Sequence, residues 1–392
     1  MPRRLNSFQI PGPLQRIALS LASLIGLSVA APPAVSGENL LVFISASAKG
    51  NKGGIHAFEF NTDNGKLTPL QRNAGLEHPF FMALSPDKQF LYSIHAPGKH
   101  GGKENEFVVA FKITDDSGKL EELNRQSALG TAACYLDVDA TGRSIVVANY
   151  STGSVAALPL KEDGSLEKAA TFIQHEGSSI DPKRQEAAHA HAAVISPDNR
   201  FMLAPDLGLD KILSYRLDPA TAKLTPAETP FTRTAPGAGP RHLIFHPNGK
   251  HVYVINELAD TVSMFNYDAE TSTLDKQQTI STLPEDAEGE KNWTADLKIT
   301  PDGKHLYATN RGHDSLACFR LGEDGQLTLL KIIPSGGKNP QNLAITPDGR
   351  WLLCANMAGN NVRVFLIEPE TGTATPVGKP VRLPSPACIL VR

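Results

Sequence analysis

Histidine, arginine and glutamate gather at a few places along this chain, and those places set the chemistry to look for. The stretch Arg184-Gln185-Glu186-Ala187-Ala188-His189-Ala190-His191 carries one guanidinium and two alternating imidazoles. A second stretch, Gly237-Ala238-Gly239-Pro240-Arg241-His242, is followed sixteen residues after Arg241 by Glu257, and Arg311 stands further on. An imidazole or a carboxylate can take a proton from water. A planar guanidinium holds a phosphate or carboxylate with two parallel bonds and stabilises an oxyanion as it develops. Alternation puts His189 and His191 on one face of an extended segment, which suits zinc binding, packing or proton transfer. No third convergent His or Cys accompanies them, so neither a metal nor a cofactor is expected. The chain has no G-x-S-x-G nucleophile elbow, no phosphate-cradling G-x-x-x-x-G-K-[ST] and no dinucleotide fingerprint.

The elements that must position these residues repeat. A turn followed by a β-rich run recurs at Ser85-Pro86-Asp87-Lys88, Ser196-Pro197-Asp198-Asn199, His246-Pro247-Asn248-Gly249, Thr300-Pro301-Asp302-Gly303 and Thr346-Pro347-Asp348-Gly349, with a degenerate copy at Asp139-Ala140-Thr141-Gly142. Proline presets φ for a turn, and Asp, Asn and Gly supply the bends of a hairpin. A second polar turn ends in Leu67, Leu120, Leu166, Leu224, Leu274 and Leu327, with its loosest copy near Thr375. One unit of about fifty residues therefore reads strand, turn, strand, loop, strand, turn, strand. There are six copies of the first turn and seven of the second. The odd copy is split: its later strands lie near residues 40–60, and its first strand is the terminal Ala387–Arg392 run. Pairing the two ends closes the ring and protects edges that would otherwise lie open. The fold expected is all-β, a seven-bladed β-propeller closed by its N- and C-terminal strands.

In such a blade, the loop entering the innermost strand and the loop between the second and third strands open on one face, around the mouth of the central channel. Functional residues should be positions where one copy departs from the others. Strand two often ends in Asn (Asn149, Asn256, Asn310, Asn356), a recurrence that argues for a structural role. The next position varies as Tyr150, Glu257, Arg311 and Met357, and there Glu257 and Arg311 are the deviants with chemistry. The expected catalytic set is His191, Glu257, Arg241 and Arg311. His189 and Arg184 are expected to bind substrate.

Composition narrows the classes. The net charge is −3, with no run of five or six like charges, which excludes a basic nucleic-acid footprint. Residues 1–36 carry Arg3, Arg4 and Arg16 and no acid, then run apolar from Ile17 to Ala31. This reads as a signal peptide cleaved after Ala34-Val35-Ser36, and it is short for a membrane span of about 20 residues. An uncleaved anchor is the alternative. The mature chain, 37–392, would carry a net charge of −6 and sit in the periplasm or outside the cell, or in the cytoplasm if the signal is unused. Cys134, Cys318, Cys354 and Cys388 all lie within apolar runs and read as small buried hydrophobes rather than as bridges.

From about residue 38 to 392 the chain resembles the propeller lactonase family that includes bacterial 6-phosphogluconolactonase and the fungal carboxy-muconate cyclase. The carriers are G-A-G-P-R-H-L-I-F-H-P-N-G at 237–249, V-I-N-E-L at 254–258, H-A-H at 189–191 and T-P-D-G-K-H-L-Y-A-T-N-R at 300–311. The resemblance implies that His191, Arg241, Glu257 and Arg311 correspond to the family's active-site set, with Asn149 and His189 nearby to bind substrate. It implies a monomer that hydrolyses a small, anionic sugar lactone without a cofactor. Two alternatives stand beside it: a non-catalytic propeller that binds a carbohydrate or protein, and a muconate-type cycloisomerase. One departure matters, because 6-phosphogluconolactone is a cytoplasmic intermediate and this chain carries an export signal.

Overall fold

The computed structural model describes residues 39–392, apart from 99 and 288–290; the expected signal peptide lies outside the described residues. Among the described residues the strands form seven sheets of four. Blade one pairs Pro386–Val391, Asn39–Ala46, Gly54–Asn61 and Lys66–Asn73 in that spatial order. Blades two to seven each take four consecutive strands, beginning at Met82, Ala133, Val194, Pro240, Trp293 and Pro340. All neighbouring strands are antiparallel, and Val42 pairs with Val391 while Ile44 pairs with Ile389. The chain ends thus share one sheet, as the split repeat required. Among the described residues, no helix is long and apolar enough to cross a membrane.

The repeated turn has a local cause. Its fourth residue is left-handed in all six copies: Lys88, Gly142, Asn199, Gly249, Gly303 and Gly349 have φ between 57° and 74°. Glycine and asparagine adopt that region at little cost. In the four copies that begin with Ser or Thr, that residue's hydroxyl ties the hairpin. Ser196 Oγ donates to Asp198 Oδ1 at 2.5 Å and accepts from the Phe201 amide at 3.0 Å, and Thr300 does the same with Asp302 and His305.

The apolar core lies between blades, not at the axis. Seven clusters fill the seams between neighbouring blades, the one between blades two and three also taking in Ala387 of blade one. One joins Val42, Phe60, Trp351 and Leu353 across blades one and seven, and another joins Tyr253, Met264, Leu306 and Phe319 across five and six. Aromatic side chains stitch the same seams: Tyr92 donates to Gly164 O, Tyr253 to Gly325 O, Tyr307 to Gly372 O and the Trp351 indole to Thr62 O. The four cysteines are buried and free.

One irregularity recurs at the top of the innermost strand, and it positions the site. In blade five Pro240 pairs with Asn256 and His242 with Ile255, so Arg241 is one residue extra. The same slip singles out Cys134 in blade three, Gln341 in blade seven and Ala387 in blade one. In blade six it falls between Thr294 and Leu297, where Ala295 aligns with Arg241. In blade four Ala190 bridges Asp206 while Val194 pairs with Leu203, and the His191 amide donates to Pro205 O. The Phe80 amide makes the matching bond to Ile94 O in blade two. A bulge turns its extra side chain away from the pleat, here into the channel mouth.

Candidate active site

The bulged position and the position after strand two form two rings of equivalent residues. Phe80, Cys134, His191, Arg241 and Gln341 from the first ring and Tyr150, Glu257 and Arg311 from the second line a cavity of about 250 Å³, together with His100, Ala132 and Arg184. The sequence placed its candidates in loops. The structure puts Arg241 on the innermost strand of blade five and His191 in the run that leads into the innermost strand of blade four, and it brings three blades' departures into one place.

Glu257 is the hub. Its Oε2 takes Arg241 Nε at 2.9 Å and Arg311 Nη2 at 2.8 Å; its Oε1 takes Arg184 Nη2 at 2.6 Å. His191 Nε2 lies 3.8 Å from Oε2, beyond hydrogen-bond length. Burial alone would push the Glu257 carboxyl up, but Arg311 and Arg241 override it and hold the group well below the usual carboxylate range. His191 moves in the same direction, but there burial and the Arg241 charge act together to keep the imidazole neutral. Burial and the neighbouring Arg311 bring Arg241 down to about 10, which leaves it cationic at neutral pH.

Beneath the cavity a polar chain fixes Arg241. Its Nη1 donates to Ala295 O and to His242 Nε2. His242 Nδ1 in turn donates to Asp296 Oδ1 at 3.0 Å. Burial and Arg241 lower the His242 pKa to about 3, so the ring is neutral and can accept from Arg241 at one nitrogen while donating at the other. Asp296 also receives Lys298 Nζ at 2.8 Å and Asn342 Nδ2 at 2.8 Å. Arg311 is held by Trp293 O and Thr294 O. Arg184, on a loop and about one-third exposed, also reaches Tyr150 OH at 3.3 Å.

The other expected binding residues fare differently. His189 and His191 do share a face, since both rings meet Tyr150, with centroids 4.6 and 5.1 Å away. Only His191 lines the cavity; His189 Nδ1 bonds Tyr150 O at 2.9 Å. Among the described residues no third His, Cys, Asp or Glu joins them as a metal site. Asn149 is corrected. It does not face the cavity but is fully buried, and its amide ties Ala128 O and Ser154 Oγ. Its recurring partner Asn356 likewise bonds Ser335 O.

Sequence reasoning passed over Tyr150, Cys134, Gln341, Phe80 and the pair His100–Glu106. Tyr150 stood in the same variable column as Glu257 and Arg311. For His100 the legible signal was length. Strands two and three are joined by three or four residues in blades three to seven, but by 96–106 in blade two.

The family model for the lactonases described as seven-bladed β-propellers matches residues 41–391. The 6-phosphogluconolactonase of Bacillus subtilis is 32% identical over 348 residues, 88% of this chain and 97% of that protein. That of Formosa agariphila is 34% identical over 331 residues, covering 81% and 90%. The solved structure of the periplasmic gluconolactonase of Pseudomonas aeruginosa superposes with a TM-score of 0.85 at 31% identity, over 90% of this chain and 99% of that one. With the bulged ring, the split closing blade and these matches in agreement, the chain belongs to the seven-bladed β-propeller lactonase family.

Proposed function

We propose that this protein hydrolyses a sugar lactone at the Glu257 cluster, and that the substrate carries a phosphate or carboxylate. One observation carries the reading: three guanidiniums converge on a single carboxylate in a small cavity. With His191 neutral, the cluster keeps a formal surplus of two positive charges. An anionic substrate neutralises that surplus, and the guanidiniums face an oxyanion formed at the lactone carbonyl.

The two expected bases divide. Glu257 is spoken for by three ion pairs, and a carboxylate so stabilised accepts a proton poorly; its role is to align the arginines. His191 is neutral, with a ring nitrogen available to water. A bound anion offsets the Arg241 charge, which strengthens His191 as a proton acceptor when substrate is present. The N-terminal arginine-flanked apolar stretch and the likeness to a periplasmic relative support export of residues 37–392. Closure of the ring by its own ends supports a monomer.

The test is a panel of sugar lactones bearing phosphate, carboxylate or neither, given to purified 37–392. Hydrolysis above the buffer rate, with a lower KM for the anionic members, is expected. Arg241→Lys, which loses the two-donor fork, should raise KM for those members more than it lowers kcat. A panel left at the buffer rate throughout would overturn the reading, and equal KM values would overturn its anionic part.

A further inference from the structure

Ring opening needs a second proton transfer: the departing ring oxygen must gain a proton as water loses one. We propose that His100, held by Glu106, is the general acid that protonates the leaving oxygen. The inference rests on the lactonase reading above and adds a catalytic residue to it.

His100 comes from the long connection of blade two and lines the same cavity as His191, which comes from blade four. The two imidazoles have contrasting surroundings. His191 meets the Cys134 thiol at Nδ1, 3.5 Å away, and has Arg241 for a neighbour. His100 Nδ1 donates to Glu106 Oε2 at 3.1 Å, and its ring stacks on Phe80 with centroids 4.1 Å apart. Glu106 is fully buried; its other oxygen accepts from the Gly101 amide at 2.8 Å, which holds the loop to the carboxylate. A buried carboxylate on one ring nitrogen fixes the ring's orientation and leaves Nε2 to meet a substrate.

The step balances. A water proton passes to His191 as the water oxygen bonds the lactone carbon and the carbonyl electron pair moves to oxygen, facing the arginines. The tetrahedral oxyanion then collapses, the bond to the ring oxygen breaks, and the Nε2 proton of cationic His100 goes to that oxygen. Solvent afterwards takes a proton from His191 and returns one to His100, and the product carboxylic acid ionises.

The test compares two lactones in the 37–392 protein: δ-gluconolactone, whose leaving group is an alkoxide, and dihydrocoumarin, whose leaving group is a phenoxide that departs without help. His100→Gln should lower kcat on δ-gluconolactone on the order of 10²-fold with KM within about twofold, and lower it less than about threefold on dihydrocoumarin. Glu106→Gln, which keeps a polar partner but not the charge, should show the same preference to a smaller extent. Unchanged kcat on δ-gluconolactone, a loss confined to KM, or equal losses on both lactones overturns the proposal. If the parent protein hydrolyses no lactone, the lactonase reading itself fails. If the parent is active and His100→Gln keeps its kcat, only this assignment fails.

Discussion

The two faces of the ring are built from the same seven repeats and were treated differently. On the turn face, four blades repeat one solution: Ser85–Asp87, Ser196–Asp198, Thr300–Asp302 and Thr346–Asp348 make the same hydroxyl–carboxylate bond. On the mouth face, the equivalent bulged position is Phe80, Cys134, His191, Arg241, Ala295, Gln341 or Ala387 in turn. Backbone geometry demands something at the turn, so the residue recurs. At the mouth the bulge demands only a backbone shape, and the side chain is free to serve a ligand. Repetition marks the fold, and departure from it marks the site.

Both faces depend on closure, so the largest effect expected is from removing residues 386–392. This strips blade one of its innermost strand and exposes the buried partners of Cys388 and Ile389. A loss of more than about 5 kcal/mol is expected, seen as failure to melt cooperatively or as insoluble protein. A truncated chain melting at the parent temperature would mean that the ring holds without its ends.

On the mouth face alone, Glu257→Gln should lower kcat/KM on the order of 10²-fold or more, because the arginines lose their alignment. It should also cost about 3 kcal/mol, since three guanidiniums lose the carboxylate they share; the partly exposed Arg184 keeps this at the low end of the range. Thermal melting and lactone kinetics on the same preparation separate the two effects. A variant with parent stability would show that the guanidiniums do not need this counter-ion.

The same pair yields a pH dependence. The folded-state pKa of Glu257 is depressed, so its stabilisation is fully present above the unfolded value of 4.5 and fades as pH falls from there towards the depressed value. The gap in Tm between parent and Glu257→Gln should therefore be widest near neutral pH and narrow steadily below about pH 4.5. A gap that stays constant down to pH 3 would contradict the assignment.

Smaller effects sharpen the contrast between recurrent and singular positions. Asn149→Ala, at a recurrent position, should cost about 1–2 kcal/mol through the lost bond to Ala128 O and leave KM unchanged. A raised KM would return Asn149 to the substrate. On the turn face, Asp302→Ala removes the acceptor for Thr300 Oγ1 and the Lys304 amide and should cost about 1 kcal/mol. Its kcat and KM should match the parent's, and any change in them would couple the two faces.

Blade number, blade order and the split closing copy were legible in the sequence because they rest on local causes. A left-handed fourth turn residue calls for Gly or Asn, and alternating apolar runs call for strands; both leave marks at fixed spacing. Arg241, Glu257, His191 and Arg311 were legible as departures from that spacing. How they meet was not. Nothing in the spacing says that one carboxylate gathers guanidiniums from residues 184, 241 and 311, because that depends on three blades converging at the axis. Nor could it separate Glu257 from His191 as a base, since proton affinity there follows from burial and from which charges lie within a few ångströms. Asn149 was a candidate through the family resemblance, against a recurrence that argued for structure, and the tertiary structure places its side chain within the sheet. The length of the blade-two connection marked it as unusual, but only folding shows its His100 at the cavity wall, held there by Glu106. The sequence by itself determined the ring and the suspects; packing of the blades decided their company, and therefore their chemistry.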